Sequence, residues 1–187
     1  RGFVIFIDRD PAVAVGRHAR FFQAQPGQNR LPAHRDQDLV AFHLLGRGVA
    51  RRVRSFDASV IYHDIRRLDA EEEKTLGVRF VSLDELLTEA DIISFHTALT
   101  PRTKGLIGPR EFDLMKRTAF LVNTSRGEII DQGELYRRLE GRRIAGAALD
   151  VFDPEPPNPK DPLLLLDSVI VTPHMAGASL DTWARRL

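Results

Sequence analysis

Short apolar runs alternate with longer amphipathic segments from about residue 38 to the C-terminus, and this alternation limits the possible folds. The apolar runs read LVAF, SVIY, RFV, DIISF, AFLVN, IAGAAL and VIVT. Nearly continuous apolar strands that alternate with helices are typical of a parallel sheet with helices on both faces. We therefore predict a doubly wound α/β domain, built on a parallel sheet, that spans residues 38–187.

Two of the amphipathic segments carry residues that begin or end helices. Ser82 and Glu85, and likewise Asp131 and Glu134, have the spacing of a capping box. Gly141 suits the left-handed position that follows the second helix. The sequence thus predicts helices directly after Ser82 and Asp131.

Residues 1–37 show neither the period of a strand nor the period of a helix. The stretch VGRHARFFQAQPGQNRLPAHRDQD mixes Arg, Gln, Pro and His without a repeat. We predict an irregular segment of unassigned role there. At the other terminus the chain ends at Leu187 within a predicted helix, so we expect a domain that is truncated in its C-terminal helix.

The composition argues against several classes of function. Lys and Arg number 27 against 26 Asp and Glu, so no excess of cations is available to replace the counterions of a nucleic acid. The sequence has no cysteine, which removes disulfides, thiol nucleophiles and Cys-based metal sites, and we predict no metal site. No apolar run approaches the roughly 18 residues of a membrane span. We expect a soluble cytoplasmic protein that binds neither nucleic acid nor membrane.

Polar residues follow most of the predicted strands, at the edge where open parallel sheets bind ligands. These residues are His63, Asp64, His96, Thr97, Thr124, Ser125, Arg126, Asp150, Glu155 and His174. Because the carboxyl ends of parallel strands share one edge, we expect Arg126, Glu155 and His174 to lie at the same edge of the sheet.

One Arg, one Glu and one His at such an edge suit a reaction on a small carboxylic acid. A guanidinium binds a carboxylate through two hydrogen bonds, a histidine transfers a proton, and a nearby carboxylate favours the protonated imidazole. Each residue also has an ordinary interpretation. Arg126 and Glu155 fit solvated loop charges, His174 fits a hydrogen-bonded loop residue, and Asp150 fits the end of a strand.

The stretch DLVAFHLLGRGVARR, residues 38–52, has the outline of a strand, a short turn and a helix, which is where nucleotide-binding proteins hold a pyrophosphate. If Gly46 is the third glycine of such a turn, Ala41 and His43 occupy the first two positions. A His side chain at the second position obstructs the approach of the pyrophosphate. A second register that starts at Gly46 lacks the third glycine. The sequence therefore predicts a degraded dinucleotide-binding turn.

Asp64 lies 18 residues after Gly46. This is close to the spacing of about 20 residues at which an acid meets the adenosine ribose of NAD. A carboxylate accepts hydrogen bonds from the ribose hydroxyls and repels a 2′-phosphate, so NADP is less favoured than NAD. Arg66 and Arg67 follow closely and could weaken that preference. On spacing alone, Asp64 also fits a turn residue at the end of a strand.

Four segments carry a specific resemblance to a known family: SLDELLTEADIISFHTALTPRTKGLIG, MKRTAFLVNTSRGEIID, IAGAALDVFDPEPP and VIVTPHMAGAS. From about Gly46 onward, the chain resembles the nucleotide-binding domain of the D-isomer-specific 2-hydroxyacid dehydrogenases. The resemblance implies a Rossmann-like fold and an oxidoreductase that transfers hydride between NAD and C2 of a small 2-hydroxy or 2-oxo acid. Members are commonly dimers, so a homodimer is a possible assembly.

The resemblance also implies roles for particular residues. The residue that matches Arg126 binds the substrate carboxylate and carbonyl, the one that matches His174 is the acid/base, and the one that matches Glu155 pairs with it. The residues implied to bind the cofactor are Leu44, Leu45, Gly46, Asp64, His96, Thr97, Thr103, Thr124, Ser125, Arg126, Asp150, His174 and Gly177.

The chain departs from the family pattern in three places. Ala98 stands where the family usually has Pro, the glycine turn is degraded, and the substrate-binding domain is largely missing. Because closure between two domains positions the substrate, we predict little or no turnover by this chain alone.

Two alternatives stay open. One is a nucleotide-sensing or protein-interaction module, like the family's corepressor relatives, in which the Arg126, Glu155 and His174 set also occurs. The other is the product of a frameshifted or mis-started gene. The abrupt onset of the resemblance and the lack of Glu and Lys before Glu71 motivate this second alternative.

Overall fold

The computed structural model describes residues 2–7 and 36–177, with side chains from Leu45 onward. The strands are β1 (Gly2–Ile7), β2 (Ser59–His63), β3 (Val78–Phe80), β4 (Ile92–His96), β5 (Phe120–Asn123), β6 (Gly146–Leu149) and β7 (Val169–Val171). The helices are α1 (Asp36–Arg54), α2 (Ala70–Leu76), α3 (Leu83–Glu89), α4 (Pro109–Leu114) and α5 (Gln132–Glu140), with 3₁₀ turns at Gly127–Ile129 and Pro162–Leu165.

All described strands run parallel in one sheet of order β3-β2-β1-β4-β5-β6-β7. The chain winds outward in one direction from β1 to β3 and in the other direction from β4 to β7. Because crossover connections are right-handed, this reversal places the two groups of helices on opposite faces. The doubly wound α/β prediction is therefore confirmed, and the direction of winding changes between β1 and β4.

The strand predicted at residues 39–42 and the turn predicted at residues 41–46 are wrong. Both stretches lie inside α1, so Ala41, His43 and Gly46 are residues of a helix. A short apolar run does not by itself distinguish a strand from a buried helical segment, and tertiary context made this one helical. The other six predicted runs overlap β2 to β7.

The central strand comes instead from the segment predicted to be irregular. Gly2–Ile7 forms β1, between β2 and β4. Its run FVIFI is apolar, β-branched and aromatic, which suits a strand covered on both faces. The prediction that this segment is irregular was therefore wrong for residues 2–7. Most of the first 37 residues, namely 8–35, lie outside the described residues, and so do residues 178–187, where the chain is predicted to end in a helix.

The predicted helix starts after Ser82 and Asp131 are confirmed. The Ser82 hydroxyl accepts a hydrogen bond from the N–H of Glu85 at 3.2 Å, and Asp131 Oδ1 accepts one from Glu134 at 2.9 Å. Gly141 follows α5 but has φ of −76°, so its predicted left-handed conformation is wrong. The next residue has the positive φ instead.

The main core packs α3, α4 and α5 against β4, β5 and β6. Leu86, Ile93, Phe95, Leu121 and Leu135 are buried in it. Close-packed side chains leave little freedom to the strands that they cover. The core therefore gives rigid support to the carboxyl ends of β4, β5 and β6.

Gly127 lies where the loop after β5 touches the loop after β6. A Cβ at this position would lie 2.1 Å from the carbonyl carbon of Phe152 and 2.2 Å from its oxygen. Such separations are far below contact distance, so only a residue without a side chain allows the two backbones to approach this closely. The contact brings the loop that carries Arg126 against the loop that carries Glu155.

We expect Gly127→Ala to lower the free energy of unfolding by about 1–3 kcal/mol, because the backbone of one loop must move to admit the methyl group. Urea denaturation measures the change. Gly133→Ala is the matched control, since its Cβ would meet only side-chain atoms, Asp131 Oδ1 at 3.4 Å and Arg137 Nη1 at 3.8 Å, and alanine favours the helix. Equal losses for the two variants would contradict the proposed close approach.

Candidate functional site

The Asp150 carboxylate is the centre of the hydrogen bonding at the carboxyl edge of β6 and β7. Asp150 is 3% exposed. Its Oδ1 accepts hydrogen bonds from the Thr172 hydroxyl and, at 2.9 Å, from the N–H of Met175, while Oδ2 accepts one from the N–H of Ala176 at 2.9 Å. Its carbonyl oxygen accepts the N–H of His174 at 2.9 Å. One acidic residue therefore holds residues 172–176, which follow β7.

These hydrogen bonds keep Asp150 ionised although it is buried. Burial by itself raises the pKa of a carboxyl group, because it disfavours the charged form. The hydrogen bonds from Thr172, Ala176 and Met175, together with the nearby His174, outweigh burial and lower the pKa of Asp150 below its ordinary value. The loop is therefore held by charge-assisted hydrogen bonds, which are stronger than neutral ones.

His174 and Glu155 form a pair on this loop. The Nδ1 atom of His174 lies 2.8 Å from Oε2 of Glu155, whose Oε1 accepts the N–H of Phe152 at 3.0 Å. Because an ionised carboxylate only accepts hydrogen bonds, Nδ1 carries a proton toward it and Nε2 is left for another partner. His174 has a φ of 49°, a left-handed conformation that is uncommon outside glycine and concentrates at functional sites.

Arg126 lies at the carboxyl edge of β5 on a backbone fixed by buried side chains. The amide of Asn123 donates a hydrogen bond to the Arg126 carbonyl at 2.9 Å and accepts one from the N–H of Ser125 at 3.0 Å. The Ser125 hydroxyl donates to the carbonyl of Phe95 in β4 at 2.7 Å. The guanidinium Nη1 of Arg126 donates to the Ser125 carbonyl at 2.7 Å. The base of the Arg126 side chain is thus held in place by the neighbouring strand.

His96, Thr97 and Thr103 are buried at the end of β4. The Nε2 atom of His96 lies 3.0 Å from the Ser94 hydroxyl, and burial lowers the pKa of His96 to about 4. The imidazole is therefore neutral near pH 7. The Thr103 hydroxyl donates to the carbonyl of Ala98 at 2.7 Å, so it shapes the loop after β4 from the inside.

Asp64 follows β2 and is 2% exposed, and its Oδ1 accepts the N–H of Arg66 at 3.0 Å. Leu44, Leu45 and Gly46 lie within α1, where a backbone N–H bonds the carbonyl four residues earlier and is not available to a pyrophosphate. In a sheet of this kind the pyrophosphate turn joins the first strand to the first helix. Residues 8–35 of that connection lie outside the described residues.

The residues predicted for the site fall into two groups by exposure. Asp64, His96, Thr97, Thr103, Ser125 and Asp150 are buried, whereas Thr124, Glu155, His174 and Gly177 are exposed and Arg126 is partly so. Exposed groups at one edge are accessible to a ligand, and the buried ones fix the backbone that carries them. Asn123 and Thr172 were missed by the sequence reasoning, although each is a polar residue that ends an apolar run.

A cavity of about 490 Å³ adjoins the His174–Glu155 pair. It is mostly apolar, with walls from Phe152, Pro156, Pro157 and residues 171–174. Within the described part of the chain, no group of three or more His, Asp and Glu side chains could hold a metal ion. No helix among those residues is long and apolar enough to cross a membrane.

Comparison with known proteins identifies relatives of this chain. The family described as D-isomer specific 2-hydroxyacid dehydrogenase, NAD binding domain, matches residues 29–176. A glyoxylate reductase of Korarchaeum cryptofilum is 49% identical over 148 residues, which cover 79% of this chain and 44% of that protein.

Two solved structures show the same architecture. A glyoxylate reductase from Paecilomyes thermophila superposes with a TM-score of 0.71 at 37% identity, over 76% of this chain and 42% of that one. A D-isomer specific 2-hydroxyacid dehydrogenase from Lactobacillus delbrueckii ssp. bulgaricus, in its NAD-complexed form, gives a TM-score of 0.69 at 32% identity, over 76% and 46%. The chain thus spans less than half the length of these relatives.

We expect Asp150→Asn to lower the free energy of unfolding at pH 7 by about 1–3 kcal/mol, because an amide donor replaces an acceptor that faces N–H groups. Asp150 is ionised more readily in the folded state, so its contribution is present above the unfolded pKa of about 3.9 and is lost as pH falls further. Urea denaturation at pH 7 and below pH 4 measures both effects. Asp167→Asn, at an exposed acid, is the control; a loss that persisted in full at low pH would contradict this account.

We expect stability to fall between about pH 6.5 and pH 4 because of His96. The unfolded imidazole takes up a proton near pH 6.5, whereas folded His96 does so only near pH 4, so the unfolded state binds more protons in this window. The loss amounts to at most about 3 kcal/mol. His96→Gln should flatten the dependence in urea denaturation across this range. An unchanged slope would show that other groups cause it.

Proposed function

The chain belongs to the D-isomer specific 2-hydroxyacid dehydrogenase family, and we propose that it supplies the cofactor-binding part of an NAD-dependent oxidoreductase of small 2-hydroxy and 2-oxo acids. The observation that carries the proposal is the His174–Glu155 pair, with its 2.8 Å contact at the carboxyl edge of a doubly wound sheet. This edge is where such sheets bind their ligands. Arg126 at the end of β5 adds a cation suited to a carboxylate.

The residues at this edge fit a dinucleotide. Asp64 lies at the end of β2, the strand beside the central strand β1, and its carboxylate accepts a hydrogen bond from the N–H of Arg66. That position suits hydrogen bonds to adenosine ribose hydroxyls. When bound, the nicotinamide supplies or accepts a hydride. We propose NAD in preference to NADP, because the Asp64 carboxylate repels a 2′-phosphate.

The chain's own residues then bind the acid and move the proton. Arg126 binds the substrate carboxylate and carbonyl oxygen with its planar guanidinium. Glu155 keeps a proton on Nδ1 of His174, so that Nε2 is the atom that exchanges a proton with the substrate oxygen. During reduction of a 2-oxo acid, His174 gives the proton on Nε2 to the carbonyl oxygen while C2 gains the hydride. During oxidation, His174 takes the proton back.

Asp150 has an indirect part in this scheme. Its carboxylate holds the backbone from Thr172 to Ala176, and with it the left-handed conformation at His174. A reacting group that is misplaced by about 1 Å can slow a reaction roughly 100-fold. We propose that Asp150 keeps the His174 imidazole aligned with the substrate, while residues 172–176 contact the nicotinamide end of the cofactor.

Three further proposals concern the protein as a whole. The chain spans less than half the length of its relatives, so we propose that it has little or no turnover alone. A second wall is needed to exclude water and to position the reacting carbon. We also propose a cytoplasmic protein that forms a homodimer, as expected from the family resemblance.

Titration of the 187-residue chain with NADH, followed by nicotinamide fluorescence, tests the proposed function. We expect saturable binding, and we expect Asp64→Asn to weaken it about tenfold, since the hydrogen bonds to the ribose lose their charge. Reduction of glyoxylate, followed by NADH absorbance, should be slow or undetectable.

Asp57→Asn is the matched control because this exposed acid lies just before the opposite end of β2. Its NADH affinity should equal that of the unaltered chain. Absence of NADH binding would refute the dinucleotide proposal. Rapid glyoxylate reduction would refute only the proposal of low turnover.

A further inference from the structure

Arg67 lies a few residues beyond β2 and makes a two-point ion pair with Glu73 of α2. Its Nε lies 2.7 Å from Glu73 Oε1 and its Nη2 lies 2.9 Å from Oε2. The guanidinium carbon lies 5.6 Å from the centre of the Phe80 ring, which is cation–π distance. An exposed arginine samples many rotamers, and these two contacts select one of them.

Glu73 is a firmer anchor than an ordinary surface acid. Its side chain is only 13% exposed, and its Oε1 accepts a hydrogen bond from the Tyr62 hydroxyl at 2.8 Å. The Tyr62 oxygen in turn accepts the N–H of Leu68 at 2.8 Å. The hydrogen bond from Arg67 lowers the pKa of Glu73, against the opposite effect of burial and with help from Tyr62. The carboxylate is thus ionised and held in one orientation.

The backbone of Arg67 lies close to the position proposed for the adenosine ribose. It is three positions after Asp64 in the chain, so their Cα atoms lie at most about 11 Å apart. The chain also folds back on Asp64 through the N–H of Arg66, which shortens that distance. A guanidinium there would be well placed to bind a 2′-phosphate, which prefers two-point contacts with arginine.

We propose that Glu73 is a positioning residue for cofactor selectivity: it holds Arg67 against Phe80 and so withholds this guanidinium from a 2′-phosphate beside Asp64. The inference rests on the proposed dinucleotide function and deepens it. Asp64 excludes the 2′-phosphate by repulsion, and Glu73 removes the cation that would compensate for this repulsion. Arg66 has the same charge and is exposed, but the contacts with Glu73 and Phe80 are made by Arg67.

Competitive titration with NADH and NADPH tests the inference on the full chain. We expect Glu73→Gln to raise the affinity for NADPH about tenfold relative to NADH, since Arg67 then loses its ionised partner. The glutamine oxygen still accepts the hydrogen bond from Tyr62, so the variant should keep its fold. Circular dichroism and urea denaturation check that it does.

A double-mutant cycle separates release of Arg67 from simple removal of a negative charge. In the Arg67→Ala background, Glu73→Gln should leave the ratio of NADPH to NADH affinity unchanged, because no guanidinium is left to release. Glu71→Gln removes one negative charge from the same helix at an exposed position, and it should have no effect on this ratio.

Two results would overturn the inference alone: an unchanged ratio in Glu73→Gln while NADH still binds, or an equal rise in the Arg67→Ala background. Failure of the unaltered chain to bind either dinucleotide would overturn the proposed function and this inference with it. Titration with 2′,5′-ADP and 5′-AMP repeats the comparison without the nicotinamide half.

Discussion

The buried carboxylate of Asp150 is the interaction on which the site depends. Three hydrogen bonds to its side chain and one to its carbonyl hold the loop after β7 to the end of β6. A buried charge is costly unless several donors compensate for it, and here they do, since the pKa of Asp150 is lowered in spite of burial. The position of His174 follows from this network, because Asp150 binds its N–H, the hydroxyl of Thr172 before it and the N–H groups of Met175 and Ala176 after it.

The same combination of buried polar support and exposed side chains occurs elsewhere along the carboxyl edge of the sheet. Buried polar groups such as Asn123 and Ser125 bond to backbone, and the exposed or partly exposed groups beside them remain accessible to ligands. At Gly127 the two loops touch backbone to backbone, which joins the support of Arg126 to that of Glu155. A functional group on a loop needs such support, because loops are otherwise the most mobile part of a fold.

The residues after β2 contribute in a different way, because we propose that the charge of Arg67 is kept from a 2′-phosphate beside Asp64. Asp64 is buried and accepts a hydrogen bond from the backbone of its own turn, whereas the Arg67 guanidinium is paired with Glu73. Selectivity between two similar ligands is a difference in free energy, and it can be gained by removing a favourable contact with the wrong ligand. Neither residue alone shows this, since the proposed effect also requires Glu73 of α2 to hold the Arg67 guanidinium.

The sequence by itself determined the fold class, most strand positions, two helix starts and the polar residues that share the carboxyl edge of the sheet. These follow from local patterns, because apolar runs, caps and strand-end polar residues act over a few neighbours. It did not determine that β1 is the N-terminal run FVIFI or that residues 39–42 are helical. A short apolar run fits a strand or a buried helix equally well, and only the pairing of strands in the folded sheet distinguishes them. Only the tertiary structure decided that Asp150 anchors His174 and that Glu73 holds Arg67. Such contacts join residues from different elements, and their geometry is set by packing that no local pattern encodes.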